Sequence, residues 1–144
     1  MDTQLGRTFV NNTGTVDDDT SLKNSKVVCL YFSANWCPPC QGFTPILVDF
    51  YKNINAETKQ LEIIFVSLDK EKEGFEKHHK DMPWLAVPFG DVRVDKLINY
   101  YEVKGIPTLI LIDKNGKAVS KTARQEVLLE GTDKFARWVE KVEE

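Results

Sequence analysis

Cys37 and Cys40, with two residues between them, hold the densest chemistry in this chain of 144 residues. They lie in Trp36-Cys37-Pro38-Pro39-Cys40, directly after the apolar run Val27 to Phe32. Beyond them Phe43, Ile46, Leu47, Phe50 and Tyr51 recur at the spacing of one helix face. A buried strand therefore hands over to a helix at the cysteine pair. A thiol at a helix N-terminus meets unpaired N–H groups and the positive end of the macrodipole. Both favour thiolate over thiol. A thiolate attacks a disulfide, and a second cysteine one turn further on resolves the mixed disulfide. The spacing points to reversible dithiol–disulfide exchange, with Cys37 the exposed attacker and Cys40 the shielded resolver. Pro38 and Pro39 suit a first helical turn, where a missing N–H costs nothing and φ is already helical.

The same spacing is half of a zinc site. A structural zinc needs two such ligand pairs. The remaining cysteine, Cys29, falls in mid-strand, and His78-His79 falls in a charged helical stretch. No second pair exists, so no metal is expected. A purely structural disulfide leaves the strand-to-helix placement without a use.

The elements around the pair follow from periodicity and turn chemistry. Residues 1–25 are polar and turn-rich, with a short edge strand at 8–10, a turn at 11–14 and a solvated acidic turn at Asp17-Asp18-Asp19. Lys26 to Ser33 is continuously apolar rather than alternating, as in a central strand covered on both faces. Buried inside it, Tyr31 needs a partner for its hydroxyl. A helix runs from about Pro39 to Asn53 and contains Pro45, which removes the bond to the Gln41 carbonyl. Leu61 to Leu68 is a second core strand, completing a right-handed βαβ unit. Lys70 to Asp81 is helical, with Phe75 facing the core and both histidines facing solvent. Met82 to Phe89 is an apolar loop, packed by default. Asp91 caps a helix marked by Val94, Leu97, Ile98 and Tyr101. Leu109 to Asp113 and Ala118 to Thr122 form a hairpin across Asn115-Gly116. Phe135, Trp138, Val139 and Val142 mark a closing helix. The expected fold is one α/β domain over 1–144, a mixed sheet with helices on both faces, and a flexible terminus at 1–7.

Composition sets outer bounds. The formal net charge is −3 with both signs interspersed, and no basic cluster suggests a nucleic-acid partner. No secretory leader and no apolar run of membrane-spanning length is expected. Three cysteines without a leader suit a reducing compartment.

The motifs resemble the thioredoxin superfamily. Trp36 to Cys40, Pro45 five residues after the second cysteine, and Gly105-Ile106-Pro107-Thr108 before the hairpin carry that likeness. Phe32 to Pro45, Phe65 to Asp69 with Gly74-Phe75, and Met82 to Phe89 are similar to its nucleoredoxin and tryparedoxin branch. The resemblance implies a thioredoxin fold. It also implies a cis bond at Pro107 beside the cysteines, where base rates alone favour trans. The Ile106 backbone would bind an extended substrate chain, and Trp36, Pro38 and Pro39 would form the platform. The aspartate that thioredoxins bury near their cysteines aligns with Tyr31, so Asp69 or Glu71 is expected to handle protons. Gln41, Leu68 and Lys70 depart from the tryparedoxin pattern and Arg124 matches it, so a nucleoredoxin-like protein is the better match.

The implied activity is a protein-disulfide reductase in redox homeostasis and signalling, with no cofactor beyond the Cys37–Cys40 disulfide and an external reductant. Potentials of such pairs span about 150 mV, so the compartment sets direction, and a reducing one favours reduction. The expected partners are protein disulfides or thiols, among them transcription factors and signalling proteins, and an upstream reductase or dithiol. The expected form is a cytoplasmic and nuclear monomer or weak homodimer, with no membrane association. The alternative is a redox-gated binding module with little turnover, docking through the apolar loop around Trp84.

Overall fold

The structure is a computed structural model that describes residues 5–143. Two adjacent strands form its centre, β3 (Val27–Ser33) and β4 (Leu61–Ser67), both buried along their whole length. They pair in parallel from Val27 opposite Leu61 to Ser33 opposite Ser67. Strand β6 (Thr108–Ile112) pairs antiparallel with the other edge of β3. Four short strands complete the sheet: β1 (Phe9–Val10), β2 (Val16–Asp17), β5 (Leu85–Ala86) and β7 (Ala118–Ser120). The order is β2-β1-β5-β4-β3-β6-β7.

The unbroken apolar run of β3 has the cause expected of it. Val27, Cys29 and Tyr31 enter one core layer, and Val28, Leu30 and Phe32 enter the other. The first layer is closed by α2 (Pro38–Ile54), α3 (Lys72–His79), α5 (Ala123–Glu130) and α6 (Phe135–Glu143) through residues such as Leu47, Phe75, Val127 and Trp138. The second is closed by α1 (Thr20–Lys23) and α4 (Arg93–Tyr100) through Leu22 and Leu97. Helices thus cover both faces of a mixed sheet. At the hairpin, Asp113 accepts the N–H groups of Asn115 and Lys117, and Gly116 takes the positive φ of 83° that the turn demands.

The elements α1, β2, β5 and α5, and a 3-10 turn at Gly131–Lys134, were not legible beforehand. Helix α5 leaves Leu128 and Leu129 in solvent, which blurs its apolar period. Strand β1 is not an edge, since β2 lies outside it. The Asp17–Asp19 turn is solvated only in part, because Asp19 is buried beside Lys23 at 3.7 Å. Of the terminus expected to be flexible, residues 1–4 lie outside the described residues. Leu5 is buried, and Arg93 holds its carbonyl at 2.6 Å, so the chain is anchored from there on.

Two surface expectations are overturned. Trp84 is 2% exposed and packs edge-on against Tyr31 and Tyr51. The loop is packed, as its default reading had it, and the alternative of a docking patch fails, because β5 draws it into the sheet beside β4. His78 and His79 are 6% and 2% exposed, not solvent-facing. The helical face that buries Phe75 also turns both imidazoles inward, against Phe65. His79 Nε2 lies 2.8 Å from the Trp84 carbonyl oxygen, and His78 Nε2 lies 2.8 Å from Ser33 Oγ. Burial lowers the pKa of both rings, against opposing pulls from Asp69 and Asp81 on His78 and from the Trp84 carbonyl on His79.

Two consequences are measurable. Trp84→Ala should cost about 3–5 kcal/mol in urea unfolding, as truncation of a fully packed aromatic does. Both histidines fold as neutral rings, whereas unfolded histidine binds a proton near pH 6.5. The unfolded chain then holds more protons in mildly acidic solution, so stability is lost as pH falls from about 6.5 toward the lowered folded values. Unfolding midpoints that stay level through that window would contradict neutral burial of the two rings.

Candidate active site

The pair is positioned by the junction itself. Strand β3 ends at Ser33, a short turn follows, and Cys37 stands at the N-cap of α2 in extended conformation. Its sulfur accepts the Cys40 N–H at 3.3 Å, in the place that a serine or aspartate oxygen takes at other helix starts. Pro38 and Pro39 follow as the first helical residues and need no partner. One turn inside, Cys40 is wholly buried. Both thiols are free, so the site is in its dithiol form.

Cys37 is less open than its expected role implied. It keeps 5% exposure, against none for Cys40. Ala34 and Ile106 pack over the pair, and the Cys37 thiol points its hydrogen toward the Ile106 carbonyl at 4.0 Å. The Ile106–Pro107 bond is cis, as the resemblance implied and the base rate did not. Around this narrow opening Trp36 is 58% exposed, and Pro38 and Pro39 are exposed as well. The structure therefore brings together Trp36, Cys37, Pro38, Pro39, Cys40, Ile106 and Pro107.

The two carboxylates expected to handle protons lie elsewhere. Asp69 accepts the Asn35 N–H at 2.9 Å and the Ser67 hydroxyl at 2.7 Å, latching the turn before Trp36 to the end of β4. Glu71 is exposed just ahead of α3. Neither is among the groups that act on the Cys40 thiol. The groups that do are polar and neutral. Burial, with the Cys37 thiol adding to it, pushes the Cys40 thiol up to about 11, and the Ser33 hydroxyl and Ala34 backbone oppose this. Tyr31 stands where the buried aspartate was missing. Its hydroxyl pairs with Thr44 Oγ1 at 2.7 Å, and Thr44 donates to the Cys40 carbonyl at 2.9 Å. Burial holds the phenol up to about 12, so it stays protonated. Cys29 is fully buried on the same face of β3, and desolvation raises its thiol well above the ordinary range.

Ser33, Thr44 and His78 escaped the sequence reading. Ser33 had a legible signal, being two residues after Tyr31 and hence on the same face of a strand that runs into the cysteine turn. His78 had none, since a charged helical stretch does not announce which of two adjacent rings faces inward.

Residues 24–118 match the family described as Thioredoxin-like, and the chain belongs to it. Its place within the family is on the nucleoredoxin and tryparedoxin side. It is 43% identical over 119 residues to a probable nucleoredoxin 1 of Arabidopsis thaliana, an alignment covering 83% of this chain and 21% of that one. It is also 43% identical over 121 residues to the nucleoredoxin of Homo sapiens, covering 83% and 28%. The chain thus spans between a fifth and a third of the length of these relatives. Among solved structures it is similar to tryparedoxin I of Leishmania major, with a TM-score of 0.82, 36% identity, and 92% and 91% of the two chains covered. A thioredoxin of Wuchereria bancrofti superposes with a TM-score of 0.81 at 40% identity, over 97% and 99%.

Burial ranks the three thiols for alkylation. Iodoacetamide at mildly alkaline pH should label Cys37 first, and labelling of Cys40 should climb only as pH approaches about 11. Peptide mass spectrometry reads the order; Cys40 or Cys29 reacting ahead of Cys37 would overturn it.

Proposed function

We propose that this protein is a thiol–disulfide oxidoreductase that reduces disulfides of protein substrates through Cys37 and Cys40. The observation that carries the reading is the Cys37 sulfur, held at the head of α2 with Cys40 directly behind it and a sliver of surface left open. The Cys37 thiolate attacks one sulfur of a substrate disulfide. A Cys37–substrate S–S bond forms, the substrate S–S bond breaks, and the departing sulfur leaves as thiolate and takes a proton from water. Cys40, deprotonated, then attacks Cys37. The intramolecular disulfide forms, the mixed disulfide breaks, and the second substrate thiol leaves. The substrate gains two electrons and two protons, and an external dithiol or upstream reductase resets the enzyme.

Affinity comes from the surroundings of the opening. An extended substrate chain lies along the backbone at Ile106, beside Pro107, with Trp36, Pro38 and Pro39 as its apolar platform. Main-chain pairing of this kind asks little of substrate sequence, which suits protein clients such as signalling proteins and transcription factors. The likeness to nucleoredoxins supports a cytoplasmic and nuclear setting and a role in redox homeostasis. No described helix is long and apolar enough to cross a membrane. A monomer or weak homodimer suffices, since both cysteines come from one chain. The alternative, a redox-gated binding module, loses its proposed docking surface now that Trp84 is buried.

Dithiothreitol-driven reduction of insulin, followed by turbidity, tests the reading. The intact protein should accelerate it, Cys37→Ser should abolish the acceleration, and Cys40→Ser should accumulate a mixed disulfide with substrate. Undiminished turnover by Cys37→Ser would remove Cys37 from its role.

A further inference from the structure

The resolving step asks for a proton acceptor. Cys40 must shed its proton to attack, yet it is fully buried and, in this chain, no carboxylate is among the groups acting on it. Ser33, itself fully buried, ends the strand that runs into the cysteine turn, and its hydroxyl favours the Cys40 thiolate. Ser33 Oγ in turn lies 2.8 Å from His78 Nε2, a side chain that reaches it from α3. His78 also lines a cleft of about 470 Å³ between α2 and α3, together with Thr44, Asp49, Lys77 and Asp81. One edge of the imidazole thus meets the serine at the end of β3, just ahead of the cysteine turn, while its residue borders an opening to water.

We propose that Ser33 and His78 form a proton relay that deprotonates Cys40 for resolution and returns the proton when the disulfide is reduced. The inference rests on the oxidoreductase reading above. In the forward direction His78 is neutral with its proton on Nδ1, so Nε2 accepts. The Cys40 S–H bond breaks and its proton passes to Ser33 Oγ as the Ser33 O–H proton passes to His78 Nε2. The electron pair left on Cys40 forms the bond to Cys37, the Cys37–substrate bond breaks, and its pair leaves on the substrate sulfur. The extra proton on His78 is released to the cleft, or to the departing thiolate through water. No net charge remains in the core.

The surroundings suit that task. Burial keeps His78 neutral, and hence able to accept, while Asp69 and Asp81 favour the transient imidazolium. The other titratable groups around the relay are Cys37, Tyr31 and His79 in the core and Asp49 and Lys77 along the cleft. Tyr31 is a poor substitute acceptor, since its phenol stays protonated up to about 12.

Two-phase kinetics with the aromatic disulfide dithiobis(nitrobenzoate) separate the steps. Attack by Cys37 releases one coloured thiolate, and attack by Cys40 releases the second. In the intact protein the second phase should level off with pH once His78 is neutral. In His78→Gln and in Ser33→Ala the second phase should slow about tenfold or more near neutral pH, within the usual range for general-base catalysis. It should also lose the plateau and climb about tenfold per pH unit toward Cys40's own ionisation. The first phase reports folding of each variant, and Ser33→Ala, which removes one hydroxyl, decides the matter should the histidine variant not fold. A second phase in these variants that keeps the rate and plateau of the intact protein would overturn the relay and leave disulfide exchange standing. Release of no coloured thiolate by the intact protein would instead overturn the exchange reading.

Discussion

A single hydrogen bond, from the Cys40 N–H to the Cys37 sulfur, joins the backbone of α2 to the chemistry at its head. A helix start leaves N–H groups without partners, and they seek an acceptor. Here the acceptor is the Cys37 sulfur, the nucleophile of the proposed exchange. The bond fixes where the sulfur sits, sets its partner one turn behind, and aims the unpaired end of the helix at the atom that carries negative charge in the proposed exchange. The two prolines make this possible, because neither brings an N–H that would compete.

Burial then divides the labour. Cys37 retains a narrow opening beside Trp36 and Ile106, while Cys40 has none. A buried thiol resists ionisation, and burial raises Cys40 in this way, which suits the resolving role proposed for it. The same resistance creates a need, which in the proposed relay falls to the face of β3 carrying Cys29, Tyr31 and Ser33. Cys29 packs in the core cluster. Tyr31 is committed to Thr44, and Ser33, at the end of the strand, is the one hydroxyl that reaches an imidazole.

Much of the architecture was legible because it rests on local rules. The uninterrupted apolar runs of β3 and β4, the apolar face of α2, the turn at Asn115-Gly116 and the closing helix all follow from periodicity and turn chemistry. The cysteine pair was legible for the same reason, since its meaning lies in its position between a strand and a helix. What escaped was short or irregular. Strands of two residues, such as β2 and β5, carry no period at all, and their existence depends on a neighbour offering unpaired backbone groups.

The amino-acid sequence by itself determined the dithiol, its order, its place at a strand-to-helix turn and the layers that hold that turn, because these depend on residues close in the chain. Tertiary structure alone decided between packing and docking for the loop around Trp84, tied Asp69 to the Asn35 N–H, and brought His78 to Ser33 across 45 residues of chain. The physical reason is the packing of α3 onto the sheet. Which face of a charged helix turns inward is settled by the surface it covers, here the Phe65 ring and the end of β3, and no local pattern encodes that surface.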